Sequence, residues 1–174
     1  MSERRVPWVA FGSLVFLILA PGSVAGLIPF WLTGWRVDER FPVPSIGRVV
    51  GVSLIFVGLG SLLDSFARFV VVGLGTPAPI VPPTRLVVSG QYQHVRNPMY
   101  VAVLVIVLGQ SLVLGSGILL EYAALLWFLF HLFVTLYEEP TLGSQFGTSY
   151  QVYRQNVRRW LPRVRPWDSE RASE

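Results

Sequence analysis

An eleven-residue stretch, GQYQHVRNPMY (90–100), places polar and ring side chains directly before a long apolar run. Asn97 followed by Pro98 predicts the start of a helix, because asparagine favours the N-cap and proline the first helical position. The free N–H groups and positive dipole end of that helix would face the preceding loop, where anions bind readily. Arg96 adds a full positive charge beside them. The stretch therefore predicts one wall of a site for an anionic group.

The same stretch also suits a simple membrane anchor. Tyr92 and Tyr100 are typical of the aromatic belt at a membrane surface, and Arg96 could face lipid phosphates. Taken alone, the stretch leaves both interpretations open.

A pair of carboxylates, Glu138 and Glu139, stands directly before Pro140 at the end of a later apolar run. Proline disfavours helix at the residue before it, so we expect that helix to end here. Two carboxylates at a helix C-terminus oppose the negative end of the dipole and each other. The arrangement is unfavourable unless arginines of the chain, or a ligand with ammonium or sulfonium charge, lie nearby.

The short sequence GSG (115–117) joins the two apolar runs and forces them into an antiparallel hairpin. Both motifs then lie at the same membrane surface, where they form a pocket with one anion-binding wall and one cation-binding wall. A zwitterionic small molecule satisfies both walls. S-adenosylmethionine fits this description, since it carries a carboxylate, an ammonium and a sulfonium.

The elements that must position these residues are predicted to be membrane-spanning helices. The chain is 52% hydrophobic and 14% charged, whereas a soluble domain would carry roughly a quarter charged residues. The predicted spans are 6–35, 46–68, 99–114 and 118–137. The first resembles a secretory signal at its start, but its uncharged run continues to Trp35, and we expect it to bend near Pro21. At the end of the second, Asp64 and Arg68 predict an ion pair on one helix face.

The arginines predict the orientation of the chain. It contains 14 basic residues and no lysine. With both termini in the cytoplasm, only Arg36, Arg40 and Arg48 lie on the opposite side, in agreement with the positive-inside rule. We therefore expect a protein of the inner cell membrane, and the basic charge needs no nucleic-acid partner.

After the fourth span the sequence becomes amphipathic. Apolar residues recur every three or four positions from 142 to 161, while Arg154, Arg158 and Arg159 take other positions. We predict a helix lying along the anionic lipid surface. The expected fold is an all-α integral membrane protein with about four spans and this interfacial helix. Its parts are an N-terminal helix pair (1–75), the loop, hairpin and amphipathic helix (76–162), and a disordered tail (163–174).

The motifs together resemble the isoprenylcysteine carboxyl methyltransferase and phospholipid N-methyltransferase family. That family has glycine-x-tyrosine-x-x-x-arginine-histidine-proline-x-tyrosine, then glutamate-glutamate and phenylalanine-glycine-x-x-tyrosine. Here GQYQHVRNPMY precedes the hairpin and YEEPTLGSQFGTSYQVYRQNVRRWLPR follows it. The resemblance implies a membrane methyltransferase that binds S-adenosylmethionine between the motifs and takes a lipid or isoprenoid-type acceptor from the bilayer.

The resemblance also implies the site residues. The cofactor site would comprise Tyr92, His94, Arg96, Asn97, Tyr100, Glu138, Glu139 and Tyr150, and the catalytic roles would fall to Glu139 and Arg154. Asn97 replaces the family's usual histidine, so it can hydrogen-bond but cannot carry a proton.

The two histidines of the chain, His94 and His131, do not predict a metal site. They lie far apart in the hairpin, and the chain has no cysteine. His131 falls within the fourth span, where we expect it to serve as a hydrogen-bond partner between helices.

Other functions remain open at this stage. A nicotinamide-dependent membrane reductase has a related architecture, and a non-catalytic lipid-binding membrane protein could keep the fold without the chemistry. The acidic pair disfavours the second, because unpaired carboxylates are costly to retain. For the methyltransferase, both a carboxylate and an amine acceptor are compatible with the sequence.

Overall fold

The structure is a computed structural model that describes residues 15–39, 42–73 and 86–168, and these residues form helices and connecting segments without a strand. The helices in this part of the chain are α1 (Val15–Thr33), α2 (Ser45–Gly73), α3 (Pro98–Leu114), α4 (Gly117–Phe133) and α5 (Glu139–Asn156). The predicted all-helical fold is confirmed. Residues 6–14 of the predicted first span lie outside the described residues.

Among the described residues, three helical stretches are long and apolar enough to cross a membrane: Val15–Thr33, Ser45–Arg68 and Gly117–Asn156, the last of which is kinked at Gly147 (φ 51°, ψ −125°). Helix α3 is also apolar but shorter. At 1.5 Å per residue it is about 25 Å long. These lengths and compositions agree with the integral membrane protein that the sequence predicts.

Helix α1 is irregular, as its proline and glycine predict. Its middle is a π-helical segment, Ser23–Leu27, and two carbonyl groups there accept side-chain hydrogen bonds. The Tyr122 hydroxyl donates to the carbonyl of Val24 at 2.8 Å, and the Gln110 amide donates to that of Ala25 at 2.7 Å. Such polar contacts hold helices together in an apolar environment. They attach α1 to the hairpin of α3 and α4.

Helices α2 and α3 pack with their backbones close together. A Cβ atom at Gly109 would lie 2.6 Å from the carbonyl oxygen of Gly51, so no larger side chain fits there. Small residues at such contacts allow membrane helices to approach closely. The core between the helices contains Leu62, Phe66, Ala102, Val103, Ile106, Val107, Ala123 and Leu126.

The predicted hairpin is confirmed. Gly115 adopts the left-handed conformation (φ 64°) that ends α3, and α4 begins at Gly117. The start of α3 and the end of α4 therefore meet at one surface, where the Tyr100 hydroxyl donates a hydrogen bond to Glu138 at 3.0 Å.

The predicted helix end at Glu139 is wrong. A π-helical segment, Val134–Glu138, continues α4 directly into α5, and Pro140 lies in the first turn of α5. Proline is tolerated there because the π-helical turn before it already departs from the regular α-helical hydrogen-bond pattern, which an interior proline would interrupt. The helix therefore changes its winding at the two carboxylates instead of stopping.

The chain after α5 folds back on the molecule. Helix α5 ends at Asn156 instead of continuing to 161, and residues 157–168 form an irregular C-terminal segment that packs on the loop before α3. Trp167 donates its backbone N–H to the carbonyl of Gln93 at 3.0 Å, and its ring lies 5.7 Å from that of Tyr153. Residues 163–168, expected in the disordered tail, are thus held by specific contacts; 169–174 lie outside the described residues.

Candidate functional site

The loop that precedes α3 is fixed by side chains of α2. Ser61 donates a hydrogen bond to the side-chain carbonyl of Gln91. The guanidinium group of Arg68, paired with Asp64 at 2.8 Å as predicted, occupies the space that a Cβ atom would need at Gly90. Gly90 also has a φ of 57°, which side chains other than glycine rarely adopt. This glycine therefore allows the loop to lie directly against α2.

A cavity of about 160 Å³ opens beside this loop, between α1, α2, α3 and α4. Its polar wall consists of Tyr92, Arg96, Asn97, Tyr100 and Glu138. Its apolar wall includes Phe16, Val24, Leu62, Phe66 and Phe130. Five of the predicted site residues thus share one cavity, and it suits a ligand with a charged end and an apolar end.

Glu138 is the carboxylate of this cavity. Tyr100 donates its hydroxyl to Glu138 Oε2 at 3.0 Å, and the Tyr100 ring lies 4.7 Å from that of Phe130. Over the described ranges no ion pair involves Glu138. Its carboxyl group therefore has no cationic partner among these residues.

Glu139, in contrast, is buried among arginines. Arg159 donates Nε and Nη2 to its two oxygens at 2.6 and 2.9 Å. Nη1 of Arg96 lies 3.0 Å from Oε1, and Nε of Arg154 lies 3.7 Å from Oε2. The hydrogen bond to Glu139 raises the pKa of Arg159, so this guanidinium stays charged. The chain itself satisfies this carboxylate.

Arg96 belongs both to the cluster of arginines around Glu139 and to the wall of the cavity. Its side chain is 9% exposed, and Nη1 also lies 3.5 Å from the Tyr150 hydroxyl, a long contact. Its Nε is buried and has no hydrogen-bond partner in the part of the chain that the structure describes. Leaving a buried charged donor unpaired is costly. The unpaired Nε–H therefore points to an anionic acceptor on a ligand.

Two predicted site residues contact the C-terminal segment. His94 places Nδ1 2.8 Å from the carbonyl oxygen of Arg163 and lines a separate groove between α2 and α3. Asn97 occupies the N-cap position of α3 and borders the cavity, but its side chain does not cap the helix. Its amide instead donates to the carbonyl of Arg159 at 3.2 Å. The expected capping bond is therefore replaced by a tertiary one.

Tyr150 and Arg154 lie on α5, beside the Glu139 cluster and outside the cavity wall. Tyr150 is buried, whereas Arg154 has 56% of its side chain exposed. The structure therefore brings the predicted catalytic pair, Glu139 and Arg154, together at 3.7 Å, but not onto the cavity.

Tyr92 is a buried residue of the polar wall of the cavity. It is 8% exposed, and its backbone carbonyl accepts a hydrogen bond from the Tyr153 hydroxyl at 2.7 Å. Burial raises the pKa of Tyr92 well above its ordinary value, so its hydroxyl stays protonated. It can donate a hydrogen bond to a ligand but cannot serve as a base near neutral pH.

The C-terminal segment supplies residues that the sequence reading did not assign to the site. Arg159, predicted to face lipid, turns inward to Glu139, while Arg158 stays exposed and its carbonyl accepts the Arg96 N–H at 2.9 Å. Trp160 donates to His131 Nδ1 at 3.2 Å, so this histidine bonds to the irregular C-terminal segment and not, as expected, to another helix. The unfavourable acidic pair signalled that an arginine was needed, but not which one.

Comparisons with known proteins indicate the family of this chain. A family model described as phospholipid methyltransferase matches residues 46–149, more than half of the chain. A protein-S-isoprenylcysteine O-methyltransferase of Schizosaccharomyces pombe is 38% identical over 80 residues, which cover 45% of this chain and 34% of that enzyme. The chain thus spans about a third of the length of that relative.

An uncharacterised protein of Haemophilus influenzae is 36% identical over 63 residues, 36% of this chain and the whole of that protein. No solved structure matches this chain. The regions of similarity to the two relatives are therefore partial, whereas the family match runs from the start of α2 into α5.

Proposed function

This chain belongs to the phospholipid methyltransferase family, and we propose that it transfers a methyl group from S-adenosylmethionine to a lipophilic acceptor in the membrane. One observation carries the proposal: Glu138 and Arg96, both with unused binding capacity, belong to the polar wall of a cavity whose other wall is apolar. A lipid or isoprenoid-type acceptor suits the apolar wall. The similarity to an isoprenylcysteine methyltransferase supports this class of acceptor.

The residues present fit the charged parts of S-adenosylmethionine. Glu138, with the rings of Tyr100 and Phe130 beside it, suits a sulfonium, because carboxylates and aromatic faces both attract cations. The Arg96 Nε–H suits a carboxylate. When bound, the cofactor would supply an electrophilic methyl group to the nucleophilic atom of the acceptor and would leave as a neutral thioether.

The size of the cavity limits what it holds. At about 160 Å³ it is smaller than the roughly 300–1,000 Å³ of pockets that enclose a drug-sized ligand. The cavity therefore suits the reacting ends of the two ligands, with the rest of each molecule outside it. Its apolar wall excludes water from the reacting atoms, which must approach to ~3–3.5 Å in line.

The chain contributes orientation and, for one class of acceptor, a base. A carboxylate acceptor reacts without losing a proton, whereas an ammonium acceptor must first lose one. Glu138 can take that proton, since its only protein hydrogen bond over the described residues comes from Tyr100. Glu139 is occupied by Arg159 and Arg96. We therefore assign the ligand-facing role to Glu138 in place of Glu139.

Calorimetric titration of the detergent-purified protein with S-adenosylhomocysteine tests the proposal. We expect the wild type to bind, and Glu138→Gln to bind about tenfold more weakly, because a charge-assisted contact is lost. Glu121→Gln is the matched control, since Glu121 is exposed near the opposite end of α4. Folded wild-type protein that binds a nicotinamide dinucleotide but not S-adenosylhomocysteine would favour the reductase instead.

We also propose that the site faces the cytoplasm in the inner cell membrane. The exposed Arg154, Arg158 and Arg165 lie at the end of the molecule that carries the cavity, in keeping with the positive-inside rule. Single cysteines at the exposed positions Gln155 and Arg36, introduced into this cysteine-free chain, report the two sides. A membrane-impermeant maleimide applied to intact cells should label the cysteine at 36 only; the reverse pattern would contradict the orientation.

A further inference from the structure

One residue of the C-terminal segment makes the two neighbouring carboxylates unequal. Arg159 presents Nε and Nη2 to both oxygens of Glu139, at 2.6 and 2.9 Å. This paired arrangement is the strongest contact that arginine makes with a carboxylate. Arg96, which approaches the same carboxylate, is left with a single short contact, from Nη1 to Oε1 at 3.0 Å.

The incomplete pairing of Arg96 has a consequence for ligand binding. Its Nε–H is buried, lacks a partner among the described residues and belongs to a side chain on the cavity wall. We propose that Arg159 is a positioning residue, which occupies Glu139 and thereby keeps the Arg96 Nε–H available for the carboxylate of the bound cofactor. This inference rests on the proposed function.

The backbone couples Arg159 to the loop that carries Arg96. The carbonyl of Arg158 accepts the backbone N–H of Arg96 at 2.9 Å, and that of Arg159 accepts the Asn97 amide at 3.2 Å. On the other side, the Trp160 ring N–H donates to His131 on α4. The C-terminal segment therefore holds Arg159 in a fixed relation to both the loop and the hairpin.

Without the Arg159 side chain, Glu139 would need another cation. Arg154 lies 3.7 Å away and is largely exposed, whereas Arg96 already contacts the carboxylate and is 9% exposed. A buried carboxylate is costly to leave without enough cationic partners. We therefore expect Arg96 to rotate so that two of its N–H groups, including Nε–H, donate to Glu139. Its Nε–H would then no longer reach a ligand. Neutralising Glu139 as well would remove that attraction.

A double-mutant cycle tests this coupling. The affinity for S-adenosylhomocysteine is measured by calorimetry for the wild type, Arg159→Gln, Glu139→Gln and the double variant. We expect Arg159→Gln to bind about tenfold more weakly, as for loss of one charge-assisted hydrogen bond, and the double variant to return to within about threefold of Glu139→Gln. A double variant as weak as Arg159→Gln would overturn the proposal, because Arg159 would then act only by holding the segment in place.

A second ligand identifies the group that Arg96 binds. 5′-Methylthioadenosine lacks the amino-acid carboxylate, so Arg159→Gln should bind it as the wild type does. An equal loss of affinity for both ligands would contradict the inference, as would unchanged affinity for S-adenosylhomocysteine.

Two further variants guard against trivial results. Arg158→Gln removes the same charge from an exposed neighbouring position and should bind S-adenosylhomocysteine like the wild type. If Arg159→Gln does not fold, Arg159→Lys replaces it, because lysine keeps the charge without the paired geometry. Arg159→Lys should bind S-adenosylhomocysteine more weakly than the wild type, and adding Glu139→Gln should restore the affinity. No recovery of affinity would overturn the proposal. Absence of binding by the wild type would instead contradict the proposed function itself.

Discussion

The cavity and the arginine cluster around Glu139 meet at the α4–α5 junction, and each surrounds one of two adjacent glutamates in a different way. In the cavity, the one hydrogen-bond donor to Glu138 among the described residues is neutral, the hydroxyl of Tyr100. In the neighbouring cluster, Glu139 has three arginines within 4 Å. Successive helical residues point about 100° apart, so adjacent carboxylates can face different surroundings. The comparison supports our proposal that the acidic pair divides into a carboxylate for a ligand and a carboxylate for the fold.

The largest expected effect comes from removing the fold-supporting carboxylate. Glu139→Ala leaves the buried Arg96 and the partly buried Arg159 without a counter-charge, so we expect a loss of about 3–5 kcal/mol in the free energy of unfolding. Glu138→Ala should lose about 1 kcal/mol, the value of one hydrogen bond from Tyr100. Denaturant unfolding in detergent measures both. Equal losses would show that the two carboxylates do not have separate roles.

A smaller effect is expected on the cavity side, at the glycine that seats the loop. Gly90→Ala places a methyl group on the Arg68 guanidinium and requires a side chain at φ 57°, so we expect a loss of about 1–3 kcal/mol and weaker binding of S-adenosylhomocysteine.

Gly60→Ala is the control for this change, because a Cβ at that α2 position meets no atom within 4 Å. It should be neutral or stabilising by up to about 1 kcal/mol. If Gly90→Ala were as stable as Gly60→Ala, the close contact between the loop and α2 would be contradicted.

The smallest effect is expected at the rim of the Glu139 cluster. Arg154 is 56% exposed and 3.7 Å from the carboxylate, so Arg154→Gln should change the free energy of unfolding by less than about 0.5 kcal/mol. Arg159→Gln should cost several times more, because Arg159 makes the paired contact. Unfolding measured at low and high salt distinguishes the contribution of Arg154 from that of Arg159, because salt strongly screens only the exposed Arg154–Glu139 pair. A larger loss from Arg154→Gln would contradict the assignment of Arg159 as the main partner.

Much of the architecture could be predicted because its signals are local. Long apolar blocks predict the spans, GSG (115–117) predicts the hairpin, and Asn97-Pro98 predicts where α3 begins, as the structure confirms. Once the hairpin forms, the two motifs at its ends must meet, which explains why Tyr100 and Glu138 are in contact. The helix end predicted before Pro140 is wrong because a π-helical turn precedes the proline and allows the helix to continue past it.

The partners of the side chains depended on contacts between distant parts of the chain. Glu139 pairs with Arg159, 20 positions away, and Asn97 bonds to the Arg159 carbonyl, 62 positions away. His94 contacts Arg163, 69 positions away. No periodicity in the sequence encodes such distances, since hydropathy and turn chemistry act over a few residues. The sequence alone therefore determined the helices, the hairpin and the meeting of its two motifs. Only the tertiary structure, by folding the C-terminal segment back, decided which of the two carboxylates pairs with arginines.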